Sequence, residues 1–464
     1  MVKNLKSFFE PKSVVVIGAS ATPHKPGNDV IKNMLVNEYH GKIYLVNPKG
    51  GEIHGIKVCK SIKELPEGID LGIIILPAKA NLKAIKECVE KKIDSFFLAA
   101  GGFSEVDEQG EMIQDDLSRF IKEVGIRVIG PNTSGVTSTP HNFTSSFFPL
   151  GKIPKGSISY IAQTGNFATH TMRYIITGEN FGVARVIGLG NKVDVDENEA
   201  LQYLAKDDET KVIIMYLESF KDPRQFMKIA RKLTKFKPVF LLKGGSTVRG
   251  KSAALAHTAA LASDDRIIDG ALKQVGVVRL SKYSQLFLIA KVLSNSPLPK
   301  GNRVGFLAPS GSMLVVLTDL CEQRLGLEVP NLDEINREHL QQISPPYIRM
   351  RNPVDIWPAA SIHGVEYAYR EGMETLLRDS NIDAVVPVLM LTKDTGMPNL
   401  NFIVELGKQY PEKPIYSTFS GDKDCMDQAK EFLEPKGIPT FNFIEEPFEI
   451  LSILFRCRKS LMRK

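Results

Sequence analysis

From Ser13 onward, short runs rich in β-branched and aromatic residues alternate with segments of helical periodicity. SVVVIGAS leads into a helix; KIYLVNP follows; LGIIILP precedes NLKAIKECVEKK; SFFLAA precedes a further helix; IRVIGPN closes the series. Strands alternating with helices of about 10–15 residues predict parallel sheets joined by right-handed crossovers. The first such unit, residues 1–140, reads as a doubly wound, Rossmann-like domain. The loop-rich bridge TPHNFTSSFFPLGKIPKG separates it from a second series, residues 150–293, which starts its strands at SISYIAQTG. A second bridge, SNSPLPKGN, precedes a third series, residues 301–464, opening at RVGFLAPSG. The expected fold class is α/β with three doubly wound parallel-sheet domains, the second and third flavodoxin-like and mutually repeated.

The repeat is divergent. Each copy opens with strand, Thr/Ser-Gly, helix, with Thr164-Gly165 in one and Ser310-Gly311 in the other. Each continues to Asn-x-Val-Asp, Asn191 to Asp194 and Asn352 to Asp355, and later to a Lys-Pro-led strand, KPVFLLKGG or KPIYSTFSG. Aligning KVIIMYLE with DAVVPVLM sets Met390 opposite Glu218, and nothing in the third series resembles the loop around His257. One copy is expected to carry chemistry and the other to support it.

Composition narrows the function classes. A chain of 464 residues is too long for one ordinary core, and 43% hydrophobic content indicates globular, well-packed domains. Lys and Arg total 59 against 53 Asp and Glu, a formal charge of +6 without long basic runs, which argues against nucleic acid or membrane partners and leaves room for a small anionic ligand. The five cysteines lie far apart with no C-x-x-C pair, so reduced thiols in a cytoplasmic protein are expected. The apolar runs are strand-sized, so no membrane span is expected.

Candidate chemistry lies at the turns. In VVVIGASATPHKPGN, residues 14–28, a strand runs into a tight turn and a helix start whose backbone N–H groups suit a phosphate, with Gly18 expected to let the ligand approach. The G-x-G-x-x-G spacing is absent. The next strand ends at Val46-Asn47-Pro48-Lys49, where a nicotinamide dinucleotide site would favour an acidic residue and Lys49 instead suits a ribose phosphate, as in coenzyme A. A solvated loop lysine is the plain alternative. His257 stands among small residues in KSAALAHTAALAS, residues 251–263. The residues alone leave two readings open, a histidine packed in an Ala-rich helix and a reactive imidazole on a loop built to move. His24 and His170 neighbour turns; His40, His54, His141, His339 and His363 lack carboxylate or cysteine partners at ligand spacing, and no metal site is expected.

IGASATPHKPG, VNPKG, LPAKA, LAAGGFSE, GPNTSG, IAQTGNFA, KPVFLLKGG and AHTAALA occur in an order that resembles the nucleoside-diphosphate-forming acyl-CoA synthetases. Over its whole length the chain is similar to the α subunits of ADP-forming acetate–CoA ligases, relatives of succinyl-CoA synthetase. The resemblance implies a first domain that binds CoA through Gly18, Ser20, Lys25, Lys49, Pro77, Ala100, Gly101 and Asn132. It implies that His257 is a phosphoryl carrier, with Glu218 fixing its tautomer. The chemistry is coherent, because a neutral imidazole is nucleophilic near pH 7 and needs its second nitrogen held by an acceptor. Thr164, Gly165 and Asn166, with Ser310, Gly311 and Ser312, each begin a helix after a strand and are expected to hold the phosphate, two copies serving one anion. Simple capping of each helix is the alternative.

The implied enzyme is an acid–thiol ligase converting acyl-CoA, ADP and phosphate to carboxylate, CoA and ATP, through an acyl phosphate and phospho-His257. No Walker motif or ATP-grasp segment occurs in the chain, so the resemblance implies that ADP/ATP and Mg2+ sit mainly on a separate ATP-grasp β subunit in an α2β2 assembly. A non-catalytic CoA- or dinucleotide-binding regulatory protein is the alternative from another class, and succinate in place of acetate is the alternative within it.

Overall fold

The computed structural model describes residues 5–250, 264–394 and 398–462. The apolar runs become strands buried on both faces: Val14, Val15, Val16, Ile73, Ile74, Phe96 and Phe97 are all fully buried. Strands covered by helices on both sides carry hydrophobic side chains at successive positions, and that is why these read as continuous runs.

The first sheet contains β1 (Ser13–Ile17), β2 (Lys42–Val46), β3 (Glu52–Ile53), β4 (Ile56–Cys59), β5 (Leu71–Ile74), β6 (Ser95–Leu98) and β7 (Arg127–Ile129), in the order β3-β4-β2-β1-β5-β6-β7. All its pairs are parallel except the β3/β4 hairpin. The second sheet contains β8 (Val136–Ser138), β9 (Phe143–Thr144), β10 (Lys155–Ala162), β11 (Val183–Gly188), β12 (Val212–Leu217), β13 (Val239–Lys243) and β14 (Val278–Leu280), in the order β14-β13-β12-β10-β11-β8-β9. Its antiparallel edge, β8 and β9, is contributed by residues that follow directly on the first sheet. The third sheet contains β15 (Val304–Ala308), β16 (Val354–Asp355), β17 (Ala384–Leu391), β18 (Ser417–Gly421) and β19 (Thr440–Phe441), in the order β16-β15-β17-β18-β19, all parallel.

The chain divides into two compact units, Met1–Leu286 with the first two sheets and Phe287–Lys464 with the third. In the first unit one core runs from Phe8, Val14 and Val30 through Ile161 and Ile187 to Leu272. In the second unit a separate core gathers Leu307, Val354, Leu389 and Leu433.

Each sheet has one strand from which the chain leaves to opposite sides: β1 between β2 and β5, β10 between β11 and β12, β15 between β16 and β17. Such switch points open a crevice beyond the carboxyl ends of the strands. Gly18, Thr164-Gly165 and Ser310-Gly311 follow β1, β10 and β15 at these three places. The second and third sheets are also in register with one another. β14-β13-β12-β10-β11 corresponds to β19-β18-β17-β15-β16. Ile161 pairs with Met215 and Leu307 with Pro387, so Glu218 and Met390 both lie three residues beyond the matched partner.

Candidate active site

The residues expected at the CoA turn all lie at the carboxyl ends of β1, β2, β5, β6 and β7. The N–H groups of Gly18 and Ala19 donate to Val46 O at 3.1 and 3.3 Å. Asn47 Nδ2 donates to Ala19 O at 2.7 Å while its Oδ1 accepts the Lys49 N–H at 2.9 Å, so one amide joins the Gly18 and Lys49 turns. Lys25 and Lys49 are exposed. Pro77 opens the helix Ala78–Glu90 and Lys25 opens Pro26–Val36, both without a side-chain cap. Asn132, at φ 55°, donates its N–H to Ala100 O at 2.9 Å, and Gly101 stands beside Glu105. Glycine at 18 also has a reason within the fold. Its φ is +94° and a Cβ there would sit 2.3 Å from Ile75 O, so the end of the neighbouring strand already excludes any side chain.

At the switch point of the second sheet, Gly165 is open: among the described residues nothing lies within 4 Å of where its Cβ would be. Thr164 Oγ1 accepts the Asn166 N–H at 3.3 Å, and Asn166 Nδ2 donates to Tyr283 Oη at 3.2 Å, which orients the turn. Glu218 follows β12 with 9% exposure and accepts from Tyr216 Oη at 3.2 Å. Burial, and then the adjacent Glu218, raise the Tyr216 pKa, so the phenol stays a donor to that carboxylate. Lys243 Nζ donates to the Glu218 carbonyl at 2.7 Å, and burial lowers its pKa. His257 lies outside the described residues.

One polar residue of this region, Gln163, was not singled out from sequence, and the Asn191–Asp194 motif was noted there only for its place in the repeat, with no role assigned. Gln163, immediately before Thr164, is 2% exposed and its Oε1 accepts the N–H groups of Glu218 and Ser219, each at 3.0 Å. The Asn191–Asp194 motif lies just beyond β11, and three of its side chains face different partners. Asn191 Nδ2 donates to Glu105 Oε2 at 2.6 Å, and Glu105 Oε1 accepts the Gly102 N–H at 2.7 Å. Lys192, at φ 56° and 3% exposed, donates to Glu197 Oε2 and Ser219 O, each at 2.9 Å. Asp194 accepts from Arg127 Nε and from the Val128 N–H, each at 2.8 Å. Burial lowers the Lys192 pKa even against Glu197, while for Arg127 the carboxylates of Asp194 and Glu199 outweigh burial and raise it. Asp196 positions both acids by capping the helix Glu197–Lys206, accepting from Asn198 and Glu199 N–H. The signals were present, a Gln inside IAQTGNFA and the repeated Asn-x-Val-Asp, but their partners come from distant strands.

In the second unit, Ser310 is the N-cap of the helix Gly311–Asp319 and makes no side-chain capping bond; its Oγ is 2.9 Å from Ser312 Oγ. Capping therefore does not explain this serine, and Gly311 is open but for Asp355 Oδ2 at 3.7 Å from its Cβ position. Among the described residues no three His, Cys, Asp or Glu side chains gather as metal ligands, and no helix is long and apolar enough to cross a membrane.

Residues 12–139 match the CoA binding domain model and residues 155–293 the succinyl-CoA ligase like flavodoxin domain model. The chain is 36% identical over 447 residues to the acetate–CoA ligase [ADP-forming] II subunit alpha of Pyrococcus furiosus, covering 95% of both chains. It belongs to the ADP-forming acetate–CoA ligase α-subunit family. Members of this family are acid–thiol ligases. With the acetate–CoA ligase [ADP-forming] II of Archaeoglobus fulgidus it shares 35% identity over 453 residues, 97% of this chain but 66% of that longer protein. It also superposes on the Candidatus Korarchaeum cryptofilum dinucleotide forming acetyl-coenzyme A synthetase 1, solved with phosphate and ADP, with a TM-score of 0.89 at 27% identity, covering 100% of this chain and 99% of that one. The family fold is thus α/β with CoA-binding and flavodoxin-like domains, and two of the Pyrococcus furiosus relatives are named as α subunits.

Proposed function

We propose that this chain is the catalytic, CoA-binding subunit of an enzyme that converts acetyl-CoA, ADP and phosphate to acetate, CoA and ATP, reversibly. The observation that carries the reading is the near end-to-end match to an α subunit of that specificity. CoA binds across the β1 switch point, its phosphates at the uncapped helix start after Lys25 and near Lys49, with Ser20, Pro77, Ala100, Gly101 and Asn132 along the carboxyl edge.

Phosphate rests on the Thr164-Gly165-Asn166 turn; Ser310-Gly311-Ser312 is itself an uncapped helix start of a kind suited to an anion. A phosphate oxygen attacks the thioester carbonyl, the C–S bond breaks, and an acyl phosphate and CoA thiolate result. One imidazole nitrogen of His257 then attacks phosphorus, releasing acetate, while the proton on the other nitrogen is held by the Glu218 carboxylate. Phospho-His257 passes the phosphoryl group to ADP. ADP and Mg2+ are assigned to an ATP-grasp β subunit in an α2β2 assembly, where the cation would neutralise phosphate charge. The domain division 1–140, 150–293 and 301–464 and a cytoplasmic location belong to the same reading.

The test is incubation of the chain and its partner subunit with radiolabelled phosphate and acetyl-CoA. An acid-labile, base-stable label is expected on the wild type and not on His257→Ala. No label on the wild type under any condition would overturn the assignment.

A further inference from the structure

Glu218 is held from behind by buried polar groups that the reaction itself does not use. β12 ends at Leu217, so the N–H groups of Glu218 and Ser219 leave the sheet ladder, and Gln163 Oε1 takes both. Gln163 Nε2 donates to Ser219 Oγ at 3.0 Å. Lys192 reaches the same residue from the other side, donating to Ser219 O at 2.9 Å and lying 3.2 Å from its Oγ. Glu197, fully buried, closes the arrangement by accepting from Lys192 through one oxygen and from the Lys221 N–H through the other, at 2.9 and 2.6 Å.

We propose that Gln163 and Lys192 are positioning residues for phosphoryl transfer: Gln163 keys the Glu218 backbone to the Thr164 turn, and Lys192 clamps Ser219 from the Asn191 joint. This rests on the role of Glu218 given above. Fold stability does not call for such a set, since a buried ion pair or amide is commonly matched by well-packed apolar side chains of similar volume. The third sheet supplies the internal control. It has the same strand order, and at the positions matching Gln163, Lys192, Glu197, Glu218 and Ser219 it carries Pro309, Pro353, Pro358, Met390 and Leu391. Where the carboxylate is absent, the whole group that holds it is absent too, and the scaffold still forms. The same joint reaches the CoA-turn side through Asn191 and Glu105, so the point that fixes Glu218 is also tied to the Gly101–Gly102 backbone.

The variants are Gln163→Leu, Gln163→Glu, which keeps the acceptor for the two N–H groups, and Lys192→Met/Glu197→Gln, which leaves no buried charge unpaired. Each is assayed with the partner subunit for labelling by radiolabelled phosphate and acetyl-CoA, for kcat, and for the KM of CoA. A misplacement of about 1 Å at a reacting group costs on the order of 100-fold, so Gln163→Leu and the double variant should label about 10- to 100-fold more slowly, with the KM of CoA within about twofold. Gln163→Glu should recover part of the loss. Wild-type labelling rates in both Gln163→Leu and the double variant, or in whichever of them folds, overturn the proposal and leave the function intact. A slower rate that Gln163→Glu does not relieve overturns the role of Gln163. A wild type that takes no label removes the function and this proposal together.

Discussion

The second and third sheets are two versions of one scaffold, alike in strand order and register and unlike in the buried polar groups gathered around the Glu218 position. In the second, Glu218 stands beyond β12 on a backbone pinned by Gln163, Lys192 and Lys243. In the third, Met390 stands at the same register within β17, next to the fully buried Leu391. Both copies keep an uncapped helix start with an open glycine. The Asn-x-Val-Asp motif diverges too. Asn191 and Lys192 reach outward to neighbouring segments, whereas Asn352 turns inward, donating to Val304 O and Pro330 O, each at 3.0 Å. A Gly-containing turn at a switch point therefore follows from the parallel fold itself, while placing a carboxylate requires polar groups that the fold does not need. A duplicated domain can keep the first after losing the second.

That contrast is open to direct attack. The largest effect is expected from Glu218→Met, which imports the residue of the third sheet: with the carboxylate proposed to hold the His257 tautomer removed, labelling and turnover should fall by about 100-fold or more, read by radiolabelled phosphate incorporation at saturating acetyl-CoA. The positioning variants described above come next, at about 10- to 100-fold.

The reverse transplant, Met390→Glu, should leave labelling within about twofold, because a carboxylate alone brings neither Gln163 nor Lys192 with it; a cost of about 1–2 kcal/mol in a denaturant melt is expected for a charge at a half-buried strand position. The glycines separate in the same way. Gly18→Ala must resolve a 2.3 Å contact and a φ of +94°, and should lose about 1–3 kcal/mol of stability. Gly165→Ala meets nothing within 4 Å among the described residues and should change stability by under about 0.5 kcal/mol while raising the KM for phosphate.

The smallest effect concerns pH. Burial depresses the Lys192 pKa below its usual 10.5, so the unfolded chain binds the extra proton in the window just beneath that value, and stability contributed by this site rises with pH there. Wild type should therefore gain stability on Lys192→Met/Glu197→Gln as pH climbs into that window, and the gain should vanish well below it, measured by urea midpoints at matched ionic strength.

Much of this was legible along the chain. The apolar runs announced buried parallel strands because in a sheet covered on both faces every position must be hydrophobic. The Gly-containing turns after the leading strand of each series announced switch points, since a short strand, a sharp turn and a helix can be made only by a limited set of residues. The repeat, and Met390 opposite Glu218, followed from aligned strands, and the register of β12 and β17 bears that alignment out. Less legible was the constraint that Ile75 places on Gly18, and the place of Gln163, which depends on two N–H groups more than fifty residues away.

By itself, then, the sequence determined the fold class, the family and the Gly-containing turns at the switch points, because these depend on local periodicity and on short motifs whose physics is local. The tertiary structure alone decided which polar residues act together. Gln163, Lys192, Glu197 and Ser219 are unremarkable in isolation, and become one unit because parallel crossovers bring the ends of β10, β11 and β12 side by side, where a buried donor must find an acceptor or lose the free energy of burying it.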